Sequence, residues 1–346
     1  MEHVGIDLGK TQSQVATVTE DGEIRQQRIR TTRERLTELF GGRPRAKILL
    51  ESSMGSEWVA RLLEELGHEV IVADPNFAPM YVHRTRRVKT DRRDAEALAL
   101  ACLGGNYRAA HRLSDEQRVK RAEVGIRESL VATRARYVTQ VRSLLRGMGA
   151  DVPSGSTPGF LKRLQDVEIP AGLKKVLVPM VAMLRHLNRE IAKVDKRLEA
   201  SARADAVTKR LMTVPGVGPV TATTFVATLD AVGRFQDARQ VAAYVGLVPR
   251  EWSSSEVQRR GPITKAGSRR LRHLLVEAAW SVLRYPKEDT APLRQWAQQV
   301  ATRRGKAKAA VATARKLARI LFAMWRDGRD FEPARVTTIK LEAAPA

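Results

Sequence analysis

Short apolar runs separated by turn residues open the chain. Residues 3 to 8 form the first run, around Val4-Gly5-Ile6, and 13 to 19 the second, around Val15 to Val18. Residues 23 to 30 follow the turn Asp21-Gly22, a strong hairpin signal. The spacing becomes helical from Thr32 to Phe40, apolar and continuous in "AKILLES", helical again from Ser56 to Leu66, and strand-like in "HEVIVAD". Three antiparallel strands followed by alternating helix and strand predict an α/β sheet of mixed direction, in the ribonuclease-H-like order.

Beyond residue 112 the pattern is helical. Leu177, Met180, Leu184, Leu187, Ile191, Val194 and Leu198 recur at spacings of 3 and 4, the seam of a coiled coil. Its partner is either residues 115 to 147 of the same chain or a second subunit, with "DVPSGSTPGF" as the intervening loop. From Val207, "LMTVPGVGPVTATTFVATL" places a turn with Gly216 and Gly218 between two apolar helices. This turn resembles a helix-hairpin-helix, in which backbone N–H groups bind nucleic-acid phosphates. The pattern divides the chain into an α/β domain (1–112), a helical arm (113–206), a mainly α C-terminal domain (207–335) and a tail (336–346).

Charge adds a partner to this outline. The chain of 346 residues carries a net charge of +23, distributed as +1 over residues 1 to 110, +8 over 111 to 206 and +15 over 207 to 340. Basicity concentrated in one region points to a polyanion such as nucleic acid, bound with release of counterions. No apolar run approaches membrane-spanning length, and Glu2 and Asp7 interrupt the first one, which argues against a membrane span or a signal peptide. The single cysteine, Cys102, lies within "AEALALACL" and reads as a small buried hydrophobe; a chain without disulfides fits the cytoplasm.

The candidate chemistry lies in carboxylates that close apolar strands, where burying an unpaired charge is costly. Asp7 ends the first strand and Glu51 ends "AKILLE". Asp91 and Asp94, in "VKTDRRDAEALAL", are three residues apart and so share a face of a helix that Thr90 caps. Carboxylates contributed by these elements are what two-metal phosphodiester chemistry requires. The basic run "HRTRRVK" precedes them and suits a nucleic-acid backbone. A strand reading "GIDLG" followed by Thr also opens actin-like ATPases, but the second phosphate loop that they need is missing from the sequence.

Asp7, "LLESS" with Glu51, and "KTDRRDAEALA", followed by "PGVGPVTATTFVATL", "RFQDARQVAAYVGLVPRE", "GPITKAGSRRLRHLLVEAA" and "ARKLARILFAMW", resemble the DEDD transposases of bacterial insertion sequences, in order and over nearly the whole chain. The resemblance implies an N-terminal domain like the RuvC Holliday-junction resolvase, with Asp7, Glu51, Asp91 and Asp94 binding Mg²⁺ or Mn²⁺. It further implies a C-terminal domain whose serine attacks DNA, guidance by an element-encoded bridge RNA, donor and target DNA as substrates, and a homo-oligomer, dimer or tetramer. That serine follows "GL.P" and precedes a basic "GRITK" segment. Here it aligns with Ser254, although the usual Ser-Gly is Ser254-Ser255, which leaves Ser253 and Ser255 as alternatives. Arg259, Arg260, Lys265, Arg269, Arg270 and Arg272 follow, and Ser268 is placed to cap a helix whose first turn holds phosphate. Trp252, Tyr244 and Trp280 offer rings for stacking on bases, but core packing is the favoured reading. These features describe a cytoplasmic, nucleoid-associated recombinase. Two other readings stay open: a metal-dependent structure-specific endonuclease without a covalent intermediate, and a non-catalytic nucleic-acid-binding protein.

Overall fold

The computed structural model describes residues 1–19, 21–82, 90–253 and 258–334, and these form two units, Met1–Leu113 and Ser114–Ala346. In the first, β1 (His3–Asp7), β2 (Gln12–Val18) and β3 (Ile24–Arg30) precede α1 (Arg33–Phe40), β4 (Lys47–Glu51), α2 (Ser56–Glu65), β5 (Glu69–Ala73) and α3 (Asp91–Gly104). The strands lie in the order β3-β2-β1-β4-β5. β1 and β3 run antiparallel to β2, whereas β4 lies parallel to both β1 and β5. The mixed sheet predicted from the alternation of strand and helix is therefore the one formed.

Two apolar layers hold this unit together. Val4, Ile6, Ile48, Leu50 and Val72 pack on one face of the sheet against Leu36, Phe40, Val59 and Leu63 of α1 and α2. On the other face Leu49 and Ala73 meet Leu98, Ala101 and Cys102 of α3, and Ala16 meets Ala95 and Ala99. The small alanines let the helix approach closely, and Gly5 lets it approach further. A Cβ at Gly5 would lie 2.2 Å from the Ala95 carbonyl oxygen and 2.3 Å from the Ala99 nitrogen. The first glycine of "GIDLG" is thus a packing residue beneath a helix. Gly5→Ala is expected to lower the stability of this unit by about 3 kcal/mol, the cost of overpacking a tight core; a thermal melt unchanged from wild type would contradict this close approach. Cys102 is buried as expected, and its thiol is pushed up to about 12 by burial.

In the second unit α4 (Asp115–Gly147) and α6 (Ala171–Ala204) flank the short α5 (Phe160–Gln165). Ion pairs of Lys120 with Asp205 and of Arg127 with Asp195, and the Arg134–Asn188 hydrogen bond, set the two long helices antiparallel. Leu177, Leu184, Leu187, Ile191, Val194 and Leu198 are buried and Met180 partly so. Leu177 and Leu184 pack with Val138, Val141 and Leu145, and Val194 and Leu198 with Val124. Of the two partners open to this seam, α4 of the same chain is the one in contact. Leu187→Glu is expected to cost about 3–5 kcal/mol by burying an unpaired charge. A drop in melting temperature checks this, and an unchanged melt would show that the seam is not packed here.

The remainder is helical apart from one hairpin: α7 (Ala206–Leu211), α8 (Pro219–Leu229), α9 (Ala238–Tyr244), β6 (Pro249–Ser253), β7 (Gln258–Ile263), α10 (Arg269–Arg284), α11 (Ala291–Arg304) and α12 (Lys306–Asp327). Phe225, Leu271, Leu275, Leu317 and Phe322 lie in its core. Among the described residues no helix is long and apolar enough to cross a membrane. The tail, 336–346, lies outside the described residues, as do Ser254, Ser255 and the basic run 83–89.

Candidate active site

Strand alternation decides which face each acidic residue takes. Val4 and Ile6 point into the layer of α1 and α2, so Gly5 and Asp7 face α3; Ile48 and Leu50 likewise leave Leu49 and Glu51 on the α3 side. Ile6 and Leu50 are partners in the parallel pairing of β1 with β4. Asp7 and Glu51 follow them, at the carboxyl ends of adjacent strands and on the same face.

Helix α3 brings its acidic turn to that end. The Cys102 thiol, near its C-terminus, donates to the carbonyl oxygen of Lys47 at the start of β4, 3.4 Å away, and Ala95 and Ala99 lie over Gly5. The helix therefore runs antiparallel to β1 and begins where β1 and β4 finish. Its cap is Thr90, as the sequence predicts, whose hydroxyl accepts from the Arg93 amide. Asp94 is 2% exposed, whereas Asp91, one turn earlier, is exposed. The exposed flank is tied to the sheet through Gln26, which accepts from Arg92 and donates to Glu96 at 3.0 and 2.8 Å.

Tyr81 is a residue that the strand and helix pattern does not reveal. It ends a single helical turn, Ala78–Tyr81, and its hydroxyl donates to Glu51 Oε1. The hydrogen bond fixes one carboxylate oxygen of Glu51. Only the three-dimensional return of the chain after β5 brings this phenol to a strand end.

The donor set is all carboxylate, hard oxygen chemistry that suits a divalent cation of the Mg²⁺ or Mn²⁺ kind. Asp94, almost removed from water, is a carboxylate whose burial is compensated by cations or donors nearby. The positive end of α3 contributes there too. Among the described residues no three Asp, Glu, His or Cys side chains stand as a ready-made metal group. Topology gathers the strand ends and the helix start at one edge of the sheet.

In the second unit the predicted nucleic-acid residues fall into different environments. Gly216, at φ 89°, faces α10: a Cβ there would lie 3.1 Å from the Ala278 carbonyl oxygen. Gly218, immediately before α8, faces open space and leaves the helix N-terminus accessible. Ser268 caps α10 through the Leu271 amide at 3.2 Å, as its position predicts. Arg269 is exposed beside this cap, and Arg270 pairs with Glu128 of α4. Arg272 donates to the carbonyl oxygens of Val245, Ala266 and Gly267, so its guanidinium holds a loop together. Arg259 and Lys265 are exposed on and after the hairpin, and the side chain of Arg260 lies outside the described residues. Trp280 is partly buried beneath Arg284, but Trp252 is 58% exposed and Tyr244 38% exposed, so two of the three aromatics read as core reach solvent.

The chain matches a DEDD-type transposase family model of IS110 elements over residues 4–149 and the model described as "Transposase IS116/IS110/IS902 family" over residues 208–294. A probable family 20 transposase of Pseudomonas aeruginosa is 32% identical, with 94% of this chain and 96% of the relative aligned. The transposase for insertion sequence element IS1328 of Yersinia enterocolitica is 29% identical over 95% of this chain and 98% of its own length. That for IS1111A of Coxiella burnetii is 28% identical over 93% and 88%. The first family model spans the strand ends and α3, the second spans the hairpin and the arginine-rich helix, and the chain belongs to the IS116/IS110/IS902 family of transposases, enzymes that cleave and transfer DNA strands.

Proposed function

We propose that the protein is the transposase of a bacterial insertion sequence, cutting and rejoining donor and target DNA under RNA guidance, with a serine nucleophile beside a divalent-metal site. What carries the reading is the placement of Asp7 and Glu51 at adjacent strand ends, on the face where α3 begins with Asp91 and Asp94. These four carboxylates hold Mg²⁺ or Mn²⁺. Bound there, such cations supply the charge that stabilises the attacking and leaving oxygens of a phosphodiester. Tyr81 positions Glu51 by its hydrogen bond.

Ser254 Oγ attacks phosphorus; an Oγ–P bond forms as the P–O bond to the departing strand breaks. The serine gives up its proton, and the departing strand end leaves as a hydroxyl. The phosphoserine ester conserves the bond energy, so a second strand end reverses the step without ATP. Gly218, Arg259, Arg260, Lys265, Arg269 and Arg270 bind the phosphate backbone, while Gly216 and Arg272 shape the elements that present it. A homo-oligomer, dimer or tetramer, is supported by the likeness to the DEDD transposases of insertion sequences. The guide RNA is supported by the charge of +15 over residues 207 to 340 and by the likeness to bridge-RNA recombinases. The setting is the bacterial cytoplasm, beside the nucleoid.

Sequencing the RNA that co-purifies with the protein tests guidance. A single species encoded beside the gene is expected; fragments of bulk cellular RNA alone would exclude it.

A further inference from the structure

The chain has five tryptophans, and among the described residues four have a neighbouring ring or cation against them. Arg33 lies over Trp58, Arg284 over Trp280, Lys316 over Trp296, and Phe225 meets Trp325 edge-on. Trp252 is placed differently. It stands on β6 with 58% of its surface in solvent, and its cross-strand partner is Arg259 of β7. Its ring rests on Gly261: a Cβ there would lie 2.4 Å from Cζ3 and 2.9 Å from Cη2. The glycine therefore makes room for an indole lying along the hairpin, one side on the backbone and the other towards water.

Leaving so large an apolar ring in water costs free energy that core packing would recover. The surrounding charge identifies what covers it. Arg250, Arg259 and Lys265 are exposed on and beside the same hairpin. A flat aromatic surface among cations fits a nucleobase with its phosphates, since every base offers a π-face and the cations pair with the backbone. Ser254 is two residues further along the chain.

We propose that Trp252 is a stacking platform for an unpaired base of the DNA strand next to the phosphodiester being cut, with Gly261 as the seat that keeps the indole flat. The proposal rests on the transposase reading above for the location of the cut. It adds a base-binding residue to it.

The test uses the full-length protein as purified, with any RNA that it carries, and a DNA duplex containing a short unpaired segment with 2-aminopurine or 5-iodouracil. Stacking on an indole quenches 2-aminopurine, and 5-iodouracil crosslinks on illumination to the ring that it stacks upon. Wild type is expected to quench the probe and to yield a crosslinked peptide containing Trp252. Trp252→Leu should lose both and bind the probe roughly 5- to 150-fold more weakly, while Trp252→Phe keeps most of the affinity. Gly261→Ala, which displaces the ring and leaves every charge in place, should weaken quenching while Trp252 remains. Ser254→Ala should quench as wild type does, which separates stacking from strand cleavage. Wild type that binds the DNA without quenching, or a crosslink that maps elsewhere, overturns the platform and leaves the transposase reading standing. Failure of wild type to bind any of the DNA overturns both.

Discussion

Asp7→Asn is expected to abolish strand exchange while leaving the protein folded and able to bind nucleic acid. The residue ends β1 on the face where α3 begins, beside Glu51 at the end of β4. Removing one ligand charge from a shared metal site leaves the others mutually repulsive and the cations weakly held. Glu51→Gln, Asp91→Asn and Asp94→Asn should each do the same. The folds of Asp7→Asn and Glu51→Gln should survive, because both side chains lie at strand ends where the amide occupies the same volume. Asp94, 2% exposed, is the one substitution expected to shift the melt as well. Losing one element of two-metal catalysis corresponds to at least ~10³-fold in rate, about 4 kcal/mol of barrier. Single-turnover strand exchange, measured with and without EDTA, checks this; full activity in EDTA or in Asp7→Asn would remove the metal from the mechanism.

Ser254→Ala is expected to leave RNA and DNA binding unchanged, since the charges at Arg259, Lys265 and Arg269 are untouched, yet to eliminate both the recombinant product and a covalent protein–DNA adduct. A serine hydroxyl forms an ester that preserves the phosphodiester bond energy, whereas metal-activated water releases free ends. Because the resemblance leaves Ser253 and Ser255 open as alternatives, Ser253→Ala and Ser255→Ala belong in the same experiment. Peptide mapping of the trapped adduct assigns the nucleophile: a label on Ser253 or Ser255 moves the chemistry by one residue. Undiminished recombination without any adduct in wild type would remove the serine from the mechanism, and free strand ends without recombinant product would favour the endonuclease alternative.

Much of the first unit was readable because its signals are local. The turn signal Asp21-Gly22 falls in the β2–β3 connection, where Gly22, at φ 81°, donates its amide to the Thr19 carbonyl, and Thr90 three residues before an amide that it caps starts α3 where spacing places it. The carboxylates stood out because Asp7 and Glu51 end runs that are otherwise apolar. What the linear order hid is the reason for Gly5. Nothing in "GIDLG" distinguishes a phosphate turn from a glycine lying under a helix 90 residues later, because that distinction is a tertiary contact. Tyr81 was hidden for the same reason.

The second unit shows the complementary case. The seam from Leu177 to Leu198 was visible as a period, but a period does not name its partner; Arg127–Asp195 and Arg134–Asn188, far apart in sequence, do. The β6–β7 hairpin escaped a mainly helical reading because Pro249, Glu251 and the basic Arg250, Arg259 and Arg260 give its strands no apolar face. The exposure of Trp252 follows from that missing face. Arg272 illustrates the limit of counting charge: an arginine in a basic run looks like a phosphate ligand, yet its guanidinium is taken up by the carbonyls of Val245, Ala266 and Gly267.

The central claim is that the carboxyl ends of β1 and β4, with the first turn of α3, form the metal site at which DNA is cut. Crystals of the protein soaked in Mn²⁺ and measured at the manganese absorption edge test it directly. The account predicts an anomalous peak within about 2.2 Å of carboxylate oxygens from Asp7 and Glu51, with Asp91 or Asp94 completing the ligands. A Mn²⁺ peak held elsewhere, with none at these strand ends, would contradict it.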